Sequence, residues 1–425
     1  MRRFTALLAA LALTITVQAQ SLDECRRLAR AHYPAIRQYD LIATTEQYSL
    51  SNAARSWLPQ VQMSGQASYQ SATATYPKPF RDIMKANGMD MPGMSKDQYR
   101  LAIDVSQNIW DGGVAKNNRG IAKAEAAEQR SSLEVTLYEV ESRVNDIYFG
   151  ILLLDERMAQ TEAMIGVLQS NLERMRSYHR NGVAMQADVD ALEAELLQAK
   201  QTMGQIESSR NSYRNMLELF IGQPLASGTL ERPTTPVIDN RTSARPELAL
   251  FNAQEQRIAM QQKAIGSSVI PRFSLFAQGI YGYPGLDMFK SMMSHEWRFD
   301  VIAGVRMSWN IGAFYTRRNN LEKLNSSRQQ VAIQRDVFLF NSEMQSMQQD
   351  GEVTRLEKAI EDDNRIVELR RSVRMAAESR LENGVIDTND LLRKITDETT
   401  ATLNRSTHEI ELLQAKYNLK NILNR

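Results

Sequence analysis

Four stretches of the chain alternate apolar and polar residues with a period of two. Two of them follow Pro59 and precede Gly112, and the other two follow Pro271 and precede Gly312. Such alternation predicts β-strands with one apolar and one polar face. Each stretch has about ten residues, the length that a tilted strand needs to cross a bilayer, and aromatic residues stand near its ends. The apolar positions are Val61, Met63, Gly65, Ala67 and Tyr69; Leu101, Ile103, Val105 and Ile109; Phe273, Leu275, Ala277, Tyr281 and Tyr283; and Trp297, Phe299, Val301, Ala303, Val305, Met307 and Trp309.

The four predicted strands leave two architectures open. Two hairpins in a soluble sandwich would alternate in the same way. In a membrane, four strands cannot close a barrel, and lipid does not tolerate open sheet edges. A membrane location therefore requires several copies to pool their strands, and three copies would supply 12.

Long helices are predicted by a different spacing. Apolar residues from Leu133 to Met175 alternate steps of four and three, which is typical of a coiled coil, and the spacing resumes from Val189 to Phe220. A continuous helix from Ala115 to Tyr178 would extend about 90 to 100 Å at 1.5 Å per residue, which suits a tube across the periplasm. The second hairpin has a seam diluted by polar residues, so we expect it to contact water or to move: Leu392, Leu403, Ile410, Leu413 and Tyr417 share that seam with Thr396, Thr399 and Ser406.

Short landmarks recur in the same order in both halves of the chain. We therefore predict two structural repeats, 20–225 and 245–425, each with a helix, two strands and a long helical hairpin, joined by a connector at 226–244. The matching landmarks are Ser56-Trp57-Leu58-Pro59 with Ser268-Val269-Ile270-Pro271, Trp110-Asp111-Gly112-Gly113 with Trp309-Asn310-Ile311-Gly312, and Arg180-Asn181-Gly182-Val183 with Glu382-Asn383-Gly384-Val385.

The N-terminus predicts export from the cytoplasm. Arg2 and Arg3 precede an apolar run that ends in the small residues around Ala19, so residues 1–19 are expected to be a signal peptide. The run is too short for a membrane anchor. The chain has 1 cysteine, Cys25, which excludes an internal disulfide in the oxidising compartment and which we expect to be a small packed side chain.

Charge and residue spacing exclude several classes of function. The 51 basic and 50 acidic residues give a net charge of +1, so we expect no nucleic acid partner. The four histidines, His32, His179, His295 and His408, lie in separate elements and lack metal-ligand spacing. No glycine-rich phosphate loop follows a strand. We therefore predict no catalytic site, cofactor or metal, and no enzyme.

Several motifs, in this order and duplicated, carry a family resemblance. They are Ser21-Leu22-Asp23-Glu24-Cys25 leading to Ala29 and Pro34, then Leu58-Pro59, Trp110-Asp111-Gly112-Gly113 and Arg180-Asn181-Gly182-Val183-Ala184. Over essentially the whole mature chain, the arrangement resembles the TolC-like outer-membrane efflux protein family. The resemblance implies an α+β fold, in which long coiled-coil hairpins form a periplasmic tunnel and four strands per chain contribute to a trimeric 12-stranded outer-membrane β-barrel.

The resemblance also implies a function and partners. Family members are homotrimers in outer-membrane lipid that extend into the periplasm. They receive cargo from an inner-membrane transporter through a periplasmic adaptor and hydrolyse nothing themselves. For this chain, the resemblance implies a passive export duct for small molecules such as drugs and toxic compounds.

Candidate functional residues lie at and near the two Asn-Gly breaks. Two glycines there can adopt the left-handed conformation that ends a helix. By resemblance, the two hairpin tips would also meet the adaptor, and they comprise Gly182, Val183 and Ala184, and Gly384, Val385 and Ile386.

A periplasmic gate is a second implication of the resemblance. Asp188 and Asp390 align with acidic positions at the family's periplasmic constriction, where copies of a carboxylate around an axis would repel one another. A tyrosine and an arginine that lock the gate in well-known members correspond here to Leu381 and Ile386, and a second carboxylate corresponds to Arg393. We therefore expect Arg393 and Arg380, with Arg180, to be the salt-bridge partners of the two aspartates.

Methionines in the loops between the strands leave other functions open. Thioethers bind Cu(I) and Ag(I), although apolar loop packing is the commoner role of methionine. A Cu(I)/Ag(I) efflux duct, a type I protein secretion duct and a soluble periplasmic coiled-coil scaffold therefore remain alternatives. The loop residues are Met84, Met89, Met91 and Met94 in the first half, and Met288, Met292, Met293 and His295 in the second.

Overall fold

The structure is a computed structural model that describes residues 20–225, 230–237 and 244–423. The predicted signal peptide and much of the predicted connector lie outside the described residues. The elements are α1 (Leu22–His32), α2 (Gln38–Arg55), β1 (Gln60–Tyr69), α3 (Lys78–Ala86), β2 (Asp97–Trp110), α4 (Val114–Arg180), α5 (Gln186–Ile221), α6 (Pro246–Ser268), β3 (Arg272–Tyr283), α7 (Met288–Met293), β4 (Arg298–Ser308), α8 (Ala313–Glu382) and α9 (Thr388–Leu423).

The same order of elements occurs twice. Helix, strand, short helix, strand, long helix and shorter helix run from α2 to α5 and again from α6 to α9. Contacts divide the chain differently, into two compact units that each draw on both halves. The helical unit comprises residues up to Tyr39, Arg130–Leu250 and residues from Ile333, and the sheet unit comprises Asp40–Gln129 and Phe251–Ala332. The boundaries of the two sequence repeats thus stay a prediction.

The sheet unit contains one four-stranded antiparallel sheet in the order β1-β2-β3-β4. The predicted strands are confirmed to within a few residues at each end. A bulge between Asn108 and Trp110 shifts the pairing of β2 with β3, so Trp110 lies opposite Phe273 in place of the predicted Ile109. Elsewhere every pair is in register, and the alternation along each strand adds up to two distinct faces. One row across the apolar face is formed by Met63, Ile103, Gly279 and Val301.

The helical unit has its largest core where α1 packs on the long helices. Cys25 is fully buried there beside Val144, Tyr148 and Tyr417, as expected for a small packed side chain. Burial raises the pKa of the Cys25 thiol to about 12, and the charge of Glu24 adds to this. A hydrogen bond from the Glu24 N–H to the Ser21 hydroxyl, 3.3 Å long, caps the start of α1.

The coiled-coil seam of the first hairpin is confirmed. Its buried positions toward the tip form one cluster across α4 and α5. Farther from the tip, the Tyr213 ring of α5 lies against Gly150 of α4. A Cβ atom at position 150 would lie 2.5 Å from this ring. The clustered residues are Leu168, Leu172, Met175, Val189, Leu192, Leu196 and Ala199.

The second hairpin differs from the predicted seam near its tip. Leu391 and Ile395 are the buried apolar residues at this end of α9, whereas Leu392 is only partly buried. Leu391 and Ile395 pack with Ala377 of α8 and against Val167 of α4. Because α9 contacts two helices here, its apolar strip is wider than a single seam. None of the helices in the described ranges has the length and apolar character required to span a membrane.

Candidate functional site

The apolar face of the sheet is open to solvent in the single chain. Val61, Met63 and Tyr69 of β1 expose 69%, 63% and 70% of their surface, and apolar residues on the same face of the other three strands are exposed as well. A folded domain ordinarily buries such a face against a second layer. No second layer covers it among the described residues, so this face requires an apolar environment from outside the chain.

Aromatic side chains mark both ends of this face. At the end that carries α3 and α7, Trp297 stacks on Tyr99 and lies 5.3 Å from Tyr281, measured between ring centroids. At the end from which the long helices start, Trp110 lies 6.0 Å from Phe273. Amphipathic rings at two levels about an apolar band are typical of membrane-facing strands.

The opposite face of the sheet is polar. Arg100 donates a hydrogen bond of 2.8 Å to the side-chain carbonyl of Gln278, and the amide of Gln278 donates to Asp104. The Arg306 guanidinium lies 4.6 Å above the Phe276 ring. The charged groups on this face are stable when they are solvated by water, whereas the side chains of the apolar face are stable when they are removed from water. The two faces of the sheet therefore suit different environments.

The two hairpin tips have the left-handed glycines that the sequence predicts. Gly182 has φ +73° and Gly384 has φ +70°. Val183 and Val385 follow them and are among the most exposed apolar residues of the described chain. Ala184 and Ile386 instead pack back onto the cores of their hairpins. Each tip thus presents an exposed valine directly after a left-handed glycine.

The predicted gate residues lie close to the tips, and one of them, Asp188, caps a helix with its side chain. The Asp188 carboxylate accepts a hydrogen bond of 3.1 Å from the Met185 N–H at the start of α5. The Asp390 N–H donates to the Asp387 carboxylate, 2.8 Å away, at the start of α9. Within the described part of one chain, neither Asp188 nor Asp390 forms an ion pair with Arg180, Arg380 or Arg393.

Ion pairs that the sequence did not predict connect helices near the predicted gate residues. Arg174 of α4 reaches Glu382 of α8 at 2.9 Å, which joins the two hairpins. On the second hairpin, Arg374 pairs with Glu378 and Glu398. Burial alone would lower the pKa of Arg374, but the hydrogen bond to Glu398 and the two carboxylate charges outweigh it, so the pKa is raised. The Arg374–Glu378 spacing is visible in the sequence, whereas the partner from α9 is not.

An apolar stripe on α8 was also missed by the sequence analysis. Its five residues alternate steps of four and three, as in a coiled-coil seam, yet each is more than half exposed in the single chain. The four-three spacing is present in the sequence, but the predicted seam of the second hairpin lies only on α9. The stripe consists of Ile333, Val337, Phe340, Met344 and Met347.

The methionine loops pack against one another. The Gly93 N–H donates to the Met292 carbonyl at 3.0 Å, and the His295 ring nitrogen Nε2 lies 2.9 Å from the Gly93 carbonyl. Met94 is buried, and the His295 ring also contacts Tyr283 edge-on. These contacts give Met94 and His295 a packing role, whereas Met89, Met288 and Met293 are about half exposed.

The comparisons with known proteins agree with this arrangement. Residues 25–223 match the outer membrane efflux protein family. The fold is similar to that of the outer membrane protein VceC from Vibrio cholerae, with a TM-score of 0.68, 15% identity and 95% of both chains covered. No curated protein matches the sequence.

Two further outer membrane channels share the fold. The CmeC channel of Campylobacter jejuni matches with a TM-score of 0.66 and 12% identity over 96% of this chain and 86% of CmeC. The open state of the MtrE channel of Neisseria gonorrhoeae matches with a TM-score of 0.65 and 14% identity over 95% of this chain and 88% of MtrE. The predicted fold class is confirmed by these likenesses. The family match covers residues 25–223, nearly half of the chain, and the chain shares the fold of these outer membrane channels, so the protein is similar to outer membrane efflux proteins.

Proposed function

We propose that the protein is the outer-membrane duct of a tripartite efflux system. In this proposal three copies pool their sheets into one 12-stranded barrel in the outer membrane, and their long helices extend into the periplasm as a tunnel. Small molecules enter from an inner-membrane transporter through a periplasmic adaptor and pass without chemical change. The family match and the fold support this assignment.

The exposed apolar face of the sheet is the observation that carries the proposal. Burial of this face in lipid would remove Val61, Met63 and the other outward side chains from water. The two edges, β1 and β4, are unpaired within the described chain, and lipid does not tolerate open edges. Pairing of β1 in one copy with β4 in the next satisfies both edges and closes the sheet on itself.

The exposed stripe of α8 supports assembly in the helical part. A four-three stripe of large apolar residues forms knobs that need a facing helix. No helix of the same chain covers these residues in the described ranges. In the proposed trimer they pack against a helix of the neighbouring copy and seal the tunnel wall.

Within the same trimer, we propose roles for the hairpin tips and for the predicted gate residues. Val183 and Val385 are presented as contacts for the adaptor, because both are exposed on turns that glycine fixes. Asp188, Asp390, Arg393 and Arg380 find no mutual ion pairs within one chain, so in the proposed trimer their partners come from neighbouring copies. Single replacement of Asp390 by Asn, or of Arg393 by Gln, should then increase channel conductance and antibiotic permeation. Unchanged conductance and permeation in both variants would refute this gate.

Membrane fractionation tests the proposed function against the soluble scaffold. We expect the protein to remain with outer membranes after a carbonate wash and to run as a heat-dissociable trimer. Deletion of the gene should increase sensitivity to antibiotics. Release by carbonate, with a monomeric protein in the wash, would favour the scaffold instead.

A further inference from the structure

A cavity in the sheet unit lies at the end of the sheet from which the long helices start. It has a volume of 590 Å³ and lies between α2 and the first turns of α4. Small residues make up part of its lining, and their short side chains leave the cavity unfilled. These residues are Ala53, Ala54, Gly113, Ala115 and Gly120.

The cavity continues the apolar face of the sheet. Trp110 lines it and faces the same side as Phe273, its partner in the register of β2 and β3. Trp57 also lines the cavity, and both indole rings are more than 40% exposed. Exposed tryptophan at the border of an apolar band is typical of the lipid headgroup level of a membrane.

Three cations line the same cavity. Lys116, Arg119 and Lys123 follow one another at steps of three and four along α4, so they share one helix face. Within the described ranges none of the three forms an ion pair. Asp111 also lines the cavity, but its two carboxylate oxygens accept hydrogen bonds from the N–H groups of Gly113 and Ala115, at 2.8 and 2.6 Å. Its charge is therefore engaged at the start of α4 and its surface is 9% exposed.

The second half of the chain provides an internal comparison. Trp309 of the second half corresponds to Trp110. The residues that follow Trp309 at the same distances as the three cations follow Trp110 are Tyr315, Arg318 and Glu322. One cation and one carboxylate therefore stand where the first half has three cations. The three-cation face is consequently not a requirement of the repeated fold.

We infer that this cavity binds the headgroup of an anionic phospholipid from the periplasmic leaflet of the outer membrane. The inference rests on the proposed function, because it requires the apolar face to lie in lipid. The tryptophans contact the glycerol and upper acyl region, and the cations of α4 bind the phosphate that projects toward the periplasm. A bound lipid of this kind fixes the depth of each copy in the membrane.

The test compares the native trimer with the triple variant K116Q/R119Q/K123Q. The matched control is R317Q/R318Q/K323Q, which removes three exposed cations from the equivalent segment of α8. Each trimer is purified in neutral detergent and titrated with phosphatidylglycerol, phosphatidylcholine or inorganic phosphate. The readouts are the dissociation temperature of the trimer and the number of lipids retained in native mass spectrometry.

We expect phosphatidylglycerol to raise the dissociation temperature of the native and control trimers, while phosphatidylcholine and inorganic phosphate do not. Each cation near a membrane surface contributes about fivefold to the binding of anionic lipid, so the triple variant should bind about a hundredfold more weakly. The difference should shrink in 1 M NaCl, where the Debye length falls to about 3 Å.

Three results would overturn the lipid site. One is equal protection of the triple variant and the control by phosphatidylglycerol. Another is protection of the native trimer by inorganic phosphate alone. The third is a triple variant that folds but does not trimerise, which would show that a neighbouring copy fills the cavity. Release of the native chain from membranes by carbonate would refute the proposed function itself, and the site with it.

Discussion

Substitution of Met63 by lysine tests whether the apolar face of the sheet meets lipid. Met63 is 63% exposed and is the fourth of the ten residues of β1. Its neighbour Gln62 provides the control, because successive side chains of a strand point to opposite faces. Gln62 lies opposite Asp104 in the register, so a lysine there would face a carboxylate on the polar side.

The expected cost follows from the depth of Met63 in the strand. The residue lies about 5 Å along the strand from its centre, at roughly 3.4 Å per residue. A lysine near the bilayer midplane destabilises a membrane strand by about 2–4 kcal/mol. Three copies per barrel would multiply this to roughly 6–12 kcal/mol, because each chain contributes the same position.

The assay measures the amount of trimer in outer membranes and the temperature at which it dissociates in sodium dodecyl sulfate. We expect Met63→Lys to lower both strongly and Gln62→Lys to leave both near the native values. If the chain were a soluble scaffold, a lysine on the exposed face would be harmless or would improve solubility. Equal tolerance of the two lysines, or damage by Gln62→Lys alone, would contradict the assignment of the faces.

Further predictions concern the helical unit. Burial raises the pKa of the Cys25 thiol to about 12 from 9.0, so the unfolded chain loses the thiol proton first as the pH rises. The free energy of unfolding should therefore fall by about 1.4 kcal/mol per pH unit between pH 9 and 12, relative to Cys25→Ala, in urea unfolding. The Tyr148 hydroxyl lies 2.6 Å from the Glu231 carbonyl, so Tyr148→Phe should cost about 1–3 kcal/mol in the same assay, while Tyr315→Phe on the surface should cost nothing measurable. Gly182 has φ +73°, a conformation that asparagine tolerates and the β-branched valine does not. Gly182→Val should therefore reduce hydrogen-exchange protection at the first tip, and Gly182→Asn should not. Equal protection in both variants would refute the role of the left-handed turn.

The elements of this protein were largely predictable from the sequence, because they depend on local periodicity. The period of two located four strands, and the four-three spacing located the seam of the first hairpin. The Asn-Gly pairs located both tips, since Gly182 and Gly384 adopt the positive φ that glycine permits. Each of these signals lies within a few consecutive residues.

The partners of those elements were decided only by the tertiary structure. The pairing of Arg374 with Glu398, and of Arg174 with Glu382, depends on how separate helices are aligned. The same holds for α9, where contact with α4 as well as α8 buries Leu391 instead of Leu392. A heptad spacing shows that a helix has an apolar side, but it does not show which neighbour covers that side.

The sequence by itself thus determined which residues form the strands, the seam of the first hairpin and the turns at both tips, and which face of each strand is apolar. The tertiary structure decided that all four apolar strand faces lie on one side of a single sheet and that nothing in the described chain covers them. It also decided that Lys116 and Trp57, far apart in sequence, line one cavity. The physical reason is that periodicity is a property of neighbouring residues, whereas register, coverage and cavities arise from the packing of distant segments.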